Sequence, residues 1–251
     1  MRNNQEGKTN EVHSGKVRVR MYHPEAKLDK EITLTGEQTR HIKVLRMQEG
    51  QRIRVFDGQG HEYEGVYSEK VRPGKLKLEQ TVVPNPEPKT HITLAVAAPK
   101  GGRLDVLVEK VSELGVRKLV PIICSRSVVK PKETKIERLR KIAIEAACQS
   151  ERTTLLEISE PTPFATLLEK VREYNHSYLC HKSGTPLSHA DIGESVLLIV
   201  GPEGDFTEAE MQAALEAGCQ KVSLAPTVLR TETAGITAAA QTVGISQKLY
   251  K

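Results

Sequence analysis

The pattern of apolar and polar positions changes character about a third of the way along the chain. Up to residue 83, short stretches alternate at a period of two and are rich in β-branched residues: KVRVRMY, EITLTG, QRIRVFDG, YEGVYSEK and KLKLEQTVV, with DG and PG at turns. Such stretches predict short strands joined by tight connections. One helix is expected among them, because TGEQTRHIKVLRM sets Thr35 and Gln38 at capping-box spacing and carries Ile42, Leu45 and Arg46 in helical register. A small β-rich barrel over residues 17–83 follows. In VVPNPEPKT, prolines fall at 84, 86 and 88, a spacing that favours extended chain and excludes a helix or a central strand. Residues 84–90 are therefore read as a linker.

From residue 91 the rhythm becomes strand, helix, strand, helix. HITLAVAAP predicts a strand, and GGRLDVLVEKVSELGV a helix with Leu104, Leu107, Val108, Val111 and Leu114 on one face and Gly115 as its stop. KLVPIIC is the next strand. The following helix is expected to start at Thr134, with Glu137 as capping partner, and to bury Ile136, Leu139, Ile142, Ala143 and Ala146. LLEIS, SYLCHK, SVLLIV and KVSLA supply four more strands. Short, continuous apolar runs of this kind suit strands covered on both faces, hence a parallel sheet in an α/β domain over residues 91–251.

Composition sharpens this picture. With 4% aromatic residues and no Trp, the core is aliphatic, as suits an α/β fold better than an all-β sandwich. Cys124, Cys148, Cys180 and Cys219 are widely spaced, with no CxxC or Cys/His pairing. They read as buried free thiols in a reducing cytoplasm, and no metal is expected. No apolar run approaches a membrane span. The polar start, residues 1–16, lacks the apolar region of a signal peptide and reads as a disordered tail. Residues 1–150 hold 29 Lys+Arg against 19 Asp+Glu, whereas residues 151–251 hold 8 against 13. That asymmetry predicts a basic face for a polyanion, although solvated charged faces are common.

Three stretches carry candidate chemistry. In SVLLIVGPEGDFTEAE the strand ends at Val200, Gly201 and Gly204 free the backbone, Pro202 stiffens it, and Thr207 with Glu210 caps the next helix. Ligands of open α/β sheets bind at the carboxyl ends of strands, and this turn is such a place. It is neither GxGxxG nor a Walker loop. In LAPTVLRTETAGITAAA a second strand end leads to Arg230 and Glu232 at a helix start, beside free amides. That helix is nearly bare, through Ala234, Gly235, Ala238, Ala239 and Ala240, which suits a closely threaded loop, a second subunit or simply high helix propensity. The basic stretch SRSVVKPKETKIERLRK, with Arg126, Lys130 and Lys132, reads as a solvated face or as a phosphate track that Arg40, Lys43 and Arg46 continue. Gln149 and Arg152, in QSERTTL, are either caps or base contacts.

Together these segments resemble the bacterial 16S ribosomal RNA uridine N3-methyltransferases of the knotted SPOUT class. The resemblance is collinear from about residue 17 onward, through RHIKVLRMQEGQRIRVFDG, KGGRLDVLVEKVSELGV, PIICSRSVVK, EAACQSER, LLIVGPEGDFTEAE and LAPTVLRTETA. The last two are the most specific. That family usually shows Gly and Arg where this chain has Ala225 and Thr227, commonly has a second Gly at Asp205, and has no tail like residues 1–16.

The resemblance implies a PUA-like RNA-binding barrel followed by a SPOUT α/β domain whose C-terminal segment threads a loop as a trefoil knot, an exception to ordinary unthreaded topology. It further implies S-adenosylmethionine in the knotted loops, 16S ribosomal RNA of the small subunit as substrate, and a homodimer built on the C-terminal helix. The cofactor set it implies is Cys180, His181, Ile199, Gly201, Pro202, Gly204, Leu224, Val228, Leu229, Thr233 and Ala234, mostly through backbone groups. Arg230 and Arg126 are candidates to stabilise the deprotonated imide, with Glu232 as orienting partner or base. The rival reading is a non-catalytic RNA-binding or ribosome-assembly protein, for which paired loops at strand ends have no use.

Overall fold

A computed structural model describes residues 19–68, 74–83, 87–129 and 133–249. The N-terminal tail, the first two linker prolines, Lys130 and Lys132 lie outside the described residues. The chain divides into two compact units: residues up to Asp57 with Glu62–Val82, and Gly58–His61 with Val83 onward.

The first unit holds β1 (Val19–Tyr22), β2 (Glu31–Thr33), α1 (Gly36–Val44), β3 (Arg52–Phe56), β4 (Glu62–Tyr67) and β5 (Lys75–Val82). Its sheet runs β1-β3-β4-β5-β2, with β1 and β3 parallel and the other pairs antiparallel. Among the described residues β1 does not pair with β2, so the expected barrel is a half-barrel. Alternation sends Ile53, Val55, Leu76 and Leu78 into one core with Ile32 and Ile42. The capping box of α1 forms: Gln38 N–H donates to Thr35 Oγ1, and Thr35 N–H to Gln38 Oε1. Of the expected apolar register only Ile42 is buried. Leu45 is the exposed C-cap, and Arg46 turns the chain in the left-handed region, at φ 52°. Arg20 pairs with Glu62 at 2.6 Å and lies over the Phe56 ring, 4.2 Å from its centroid.

The second unit contains β6 (His91–Ala97), α2 (Arg103–Glu113), β7 (Lys118–Ile123), α3 (Glu133–Gln149), β8 (Glu157–Ile158), β9 (Thr162–Pro163), α4 (Phe164–Leu168), β10 (His176–Pro186), β11 (Ser195–Val200), α5 (Glu208–Ala217), β12 (Gln220–Ser223) and α6 (Thr231–Leu249). All seven strands are parallel, in the order β12-β10-β11-β6-β7-β8, with β9 also on β7. In β11, Val196, Leu198 and Val200 face a core shared with α2, α3 and α6, while Leu197 and Ile199 face one shared with α4 and α5. Helices on both faces explain why this strand reads as an unbroken apolar run.

Several boundaries differ from expectation. α3 begins at Glu133, so Thr134 lies inside it and does not precede it. LLEIS yields only the two residues of β8, and β9 and α4 carry no clear period in the sequence.

The end of the linker is anchored. Pro88 packs so closely on Gly115 (φ 91°) that a Cβ there would lie 2.4 Å from its Cγ. Glu87 Oε2 accepts from Arg152 Nε at 2.9 Å, and Glu87 Oε1 from the Thr154 amide at 3.2 Å. Arg152 Nη1 also donates to the carbonyls of Ser112 and Val116. With its side chain 7% exposed, Arg152 is turned inward by a carboxylate at the end of the linker, which favours the capping alternative over a base contact.

Candidate active site at the carboxyl ends of the strands

β10, β11 and β12 are neighbours and parallel, so the three loops that leave their carboxyl ends emerge on one edge of the sheet. The β11 turn, Gly201–Asp205, and the start of α6 touch directly: Thr231 Oγ1, on a residue 4% exposed, donates to Gly201 O at 3.2 Å. The β10 loop reaches the same turn, with His181 Nε2 3.3 Å from Asp205 Oδ2. From the far side Arg126, following β7, donates to Gly204 O at 2.9 Å and Phe206 O at 3.4 Å.

Close packing dictates the small residues here. A Cβ on Gly201 would meet the Phe206 ring at 2.7 Å. Asp205 sits at φ 63°, a conformation comfortable for Gly and tolerated by Asp because its side chain bonds locally. Here its Oδ1 accepts from the Phe206 amide at 2.8 Å. Thr207 and Glu210 form the expected capping box, and Glu210 Oε1 also accepts from the Ser125 amide at 2.7 Å. Burial alone would raise the Glu210 carboxyl, but the hydrogen bonds from Thr207 and Ser125 outweigh it and hold the group below its ordinary value.

The β10 loop is folded over β12. Val222 is in register with both Cys180 and Thr185, and a Cβ on Gly184 would lie 2.4 Å from Val222 N. The intervening segment thus lies against the backbone of β12. Burial pushes the Cys180 thiol up to about 12, with a hydrogen bond from the Ile199 backbone acting the other way. That shift disfavours the thiolate, the form in which a cysteine attacks. None of the four cysteines forms a disulfide; Cys124 and Cys219 are buried, whereas Cys148 and Cys180 are partly exposed.

The bareness of α6 is explained in part by packing within the chain. Gly235 lies where a Cβ would be 2.8 Å from Leu107 Cδ1, and Ala238 and Ala239 are fully buried against the same core. Ala240 and Gly244 are exposed.

The remaining expected site residues are distributed as follows. Ile199 is wholly buried, so only its backbone is available to a ligand. Leu224 and Ala234 pack against the core at its edge, Pro202 and Leu229 are half-buried, and Val228 and Thr233 are exposed. Arg230 is exposed, and its guanidinium has no hydrogen-bond or ion-pair partner among the described residues. Glu232 is held by Arg103, with Nε to Oε1 at 3.7 Å. Arg40, Lys43 and Arg46 are exposed in the first unit, and Gln149 is exposed at the end of α3. Sequence reading missed Arg103, Thr231 and the His181–Asp205 pair. Arg103 had a usable signal, since KGGR follows the end of β6, another strand edge.

An adenosine-bearing sulfonium fits these residues. Among the described residues the amides of Thr227, Val228, Leu229 and Arg230 donate to no protein acceptor, and the half-buried Leu229 lies within that run. No group of three or more His, Cys, Asp or Glu able to hold a metal occurs among the described residues, and no helix there is long and apolar enough to cross a membrane.

The parallel α/β sheet with three converging strand-end loops, following a mixed half-barrel in the chain, belongs to the class of RNA methyltransferases with an appended PUA domain, as two family models show. Residues 85–243 match the RNA methyltransferase domain family, and residues 34–79 the RNA methyltransferase PUA domain. Among curated relatives, ribosomal RNA small subunit methyltransferase E of Synechocystis is 33% identical over 87% of this chain and 74% of its own length. That of Bacillus subtilis is 33% identical over 80% and 85%. The chain belongs to the ribosomal RNA small subunit methyltransferase E family. A Neisseria gonorrhoeae member bound to S-adenosylmethionine superposes with TM-score 0.83 at 30% identity, covering 92% of this chain and 97% of that one. A Legionella pneumophila methyltransferase, also with bound cofactor, gives 0.80 at 28%, covering 93% and 98%.

Proposed function

We propose that the chain transfers the methyl group of S-adenosylmethionine to N3 of a uridine in the 16S RNA of the small ribosomal subunit, in the cytoplasm and as a homodimer. The observation that carries this is the juxtaposition of the Gly201 turn with the start of α6 at 3.2 Å, next to a run of open amides. Residues 17–83 are read as the RNA-binding unit, 84–90 as the linker and 91–251 as the catalytic unit. The loop of β10 folded over β12 supports the threading of a trefoil knot, and the exposed small residues Ala240 and Gly244 support α6 as the subunit contact.

The bound cofactor would supply an electrophilic sulfonium methyl. The open amides of Thr227–Arg230 would hold it, with Gly201, Pro202, Gly204, Leu224, Thr233 and Ala234 around it and the backbones of Cys180, His181 and Ile199 behind. A uridine imide is almost wholly protonated at pH 7, so its nitrogen attacks only if the site stabilises the anion or removes the proton. Arg230, charged and without a partner among the described residues, can donate to the uracil oxygens as the charge develops. Arg126 already holds the Gly201–Asp205 turn and acts beside it. Glu232, largely buried and paired, suits an orienting role. The base must be unstacked to reach these groups. Arg40, Lys43, Arg46, Lys130 and Lys132 would meet RNA phosphates, and Gln149 an RNA base.

The test is Arg230→Ala. Calorimetric affinity for S-adenosylmethionine should stay within about threefold of wild type while single-turnover methylation of unmodified small subunits falls by roughly a hundredfold or more. Wild-type turnover in the variant removes Arg230 from the mechanism, and a wild-type protein that ignores the cofactor removes the mechanism itself.

A further inference from the structure

Arg103 is the first residue of α2, in the loop that leaves the carboxyl end of β6. β6 lies beside β11, with Val96 opposite Val200. From β6 the chain continues to β7 on one side, while β11, β10 and β12 lie on the other. The gap between β6 and β11 is therefore a switch point of the sheet, where ligand crevices of parallel sheets form. One guanidinium spans it. Arg103 Nη1 donates to Glu203 Oε1 at 2.6 Å on the Gly201–Asp205 turn, and its Nε lies 3.7 Å from Glu232 Oε1 at the start of α6.

The two carboxylates are unequal. Glu203 is 36% exposed and shares its charge with water, whereas Glu232 is 13% exposed and its Oε2 is sealed from solvent with no donor among the described residues. A buried carboxylate in that state depends on a nearby cation, and removing the cation leaves an uncompensated charge. Without Arg103 the two anions would also repel each other across the pocket edge. Among the described residues the side-chain hydrogen bond left between these segments would be Thr231 Oγ1 to Gly201 O.

We propose that Arg103 is a positioning residue for methyl transfer: by neutralising Glu203 and Glu232 together, it keeps the β11 turn and the start of α6 closed on the cofactor. This rests on reading the site as an S-adenosylmethionine pocket. The residue acts through the two loops and need not touch the reacting atoms. Its loss acts first on cofactor affinity.

The experiment compares wild type with Arg103→Met, Arg103→Lys, Glu203→Gln and Glu232→Gln, using calorimetric S-adenosylmethionine binding, methylation of unmodified small subunits, and thermal melting. Arg103→Met is expected to raise both Kd and KM for the cofactor by about tenfold or more, since small misplacements of positioning groups are costly. Its kcat at saturating cofactor should stay within about threefold, and Arg103→Lys should recover part of the affinity. Adding Glu203→Gln to Arg103→Met should cost less than Glu203→Gln alone, because the pair acts as one unit. Wild-type protein that fails to bind the cofactor overturns the reading of the site. Wild-type protein that binds, with an Arg103→Met variant that binds equally well or that loses kcat with KM unchanged, overturns the positioning role. If Arg103→Met fails to fold, the Glu203→Gln and Glu232→Gln variants decide: wild-type affinity in both overturns the role, and weakened affinity in either with unchanged melting sustains it.

Discussion

Replacing Gly184 with Ala tests the close approach of the β10 loop to β12. No positive φ is required at this position, so any cost is steric. The added Cβ would lie 2.4 Å from Val222 N and 2.5 Å from both Lys221 C and Val222 C, against 3.4–4 Å for an ordinary contact. The overlap is about 1 Å with each of three backbone atoms. They cannot withdraw, because Val222 is 1% exposed and in register with Cys180 and Thr185. Overpacking of this kind costs roughly 1–3 kcal/mol, occasionally more. In a unit of this size each kcal/mol moves the midpoint by about 2–4 °C, so a fall of roughly 6–12 °C is expected from the upper end of that range. Gly204→Ala is the control: its Cβ would meet only Arg126 Cβ and Cδ, at 3.5 and 3.6 Å, and should change stability by less than about 0.5 kcal/mol. Circular-dichroism melts and urea titrations of the two variants decide. Superimposable curves for both variants and the wild type would refute the argument that β12 runs hard against the loop.

Two further outcomes follow from the hydrogen-bonded carboxylates Glu87 and Glu210. Glu87→Ala leaves Arg152 buried without its carboxylate and should destabilise the second unit by about 3 kcal/mol, whereas Glu87→Met with Arg152→Met should recover most of that loss in a urea titration. The salt slope of RNA binding should be the same in the double variant as in wild type, and a shallower slope would return Arg152 to the RNA-contacting set. Glu210→Gln keeps the capping box but removes a carboxyl held below its ordinary value of 4.5. A depressed folded pKa contributes stability above the unfolded value and loses it as pH falls through the folded one. The wild-type advantage over Glu210→Gln should therefore be constant above about pH 5 and shrink in more acid solution; an advantage independent of pH would remove the hydrogen bonds from Thr207 and Ser125 as its cause.

What local chemistry dictates was legible along the chain. Period-two patterns gave the strands of the first unit and period-3.6 patterns most helices, two of the three expected capping boxes formed, at Thr35 and Thr207, and the unbroken run SVLLIV announced a strand covered on both faces. The glycines of the β11 turn and the polar start of α6 marked two strand edges, because backbone freedom and open amides are properties of a few adjacent residues. Tertiary structure decided what depends on residues far apart in the chain. Arg152 looked like an RNA contact until Glu87, 65 positions earlier, drew it inward. Arg126 looked free until the carbonyls of Gly204 and Phe206 claimed it. Arg103 went unremarked in the sequence, and strand order sets it between Glu203 and Glu232. Charge pairing and close approach act through space over a few ångströms, and only the order of strands in the sheet determines which distant residues come that near.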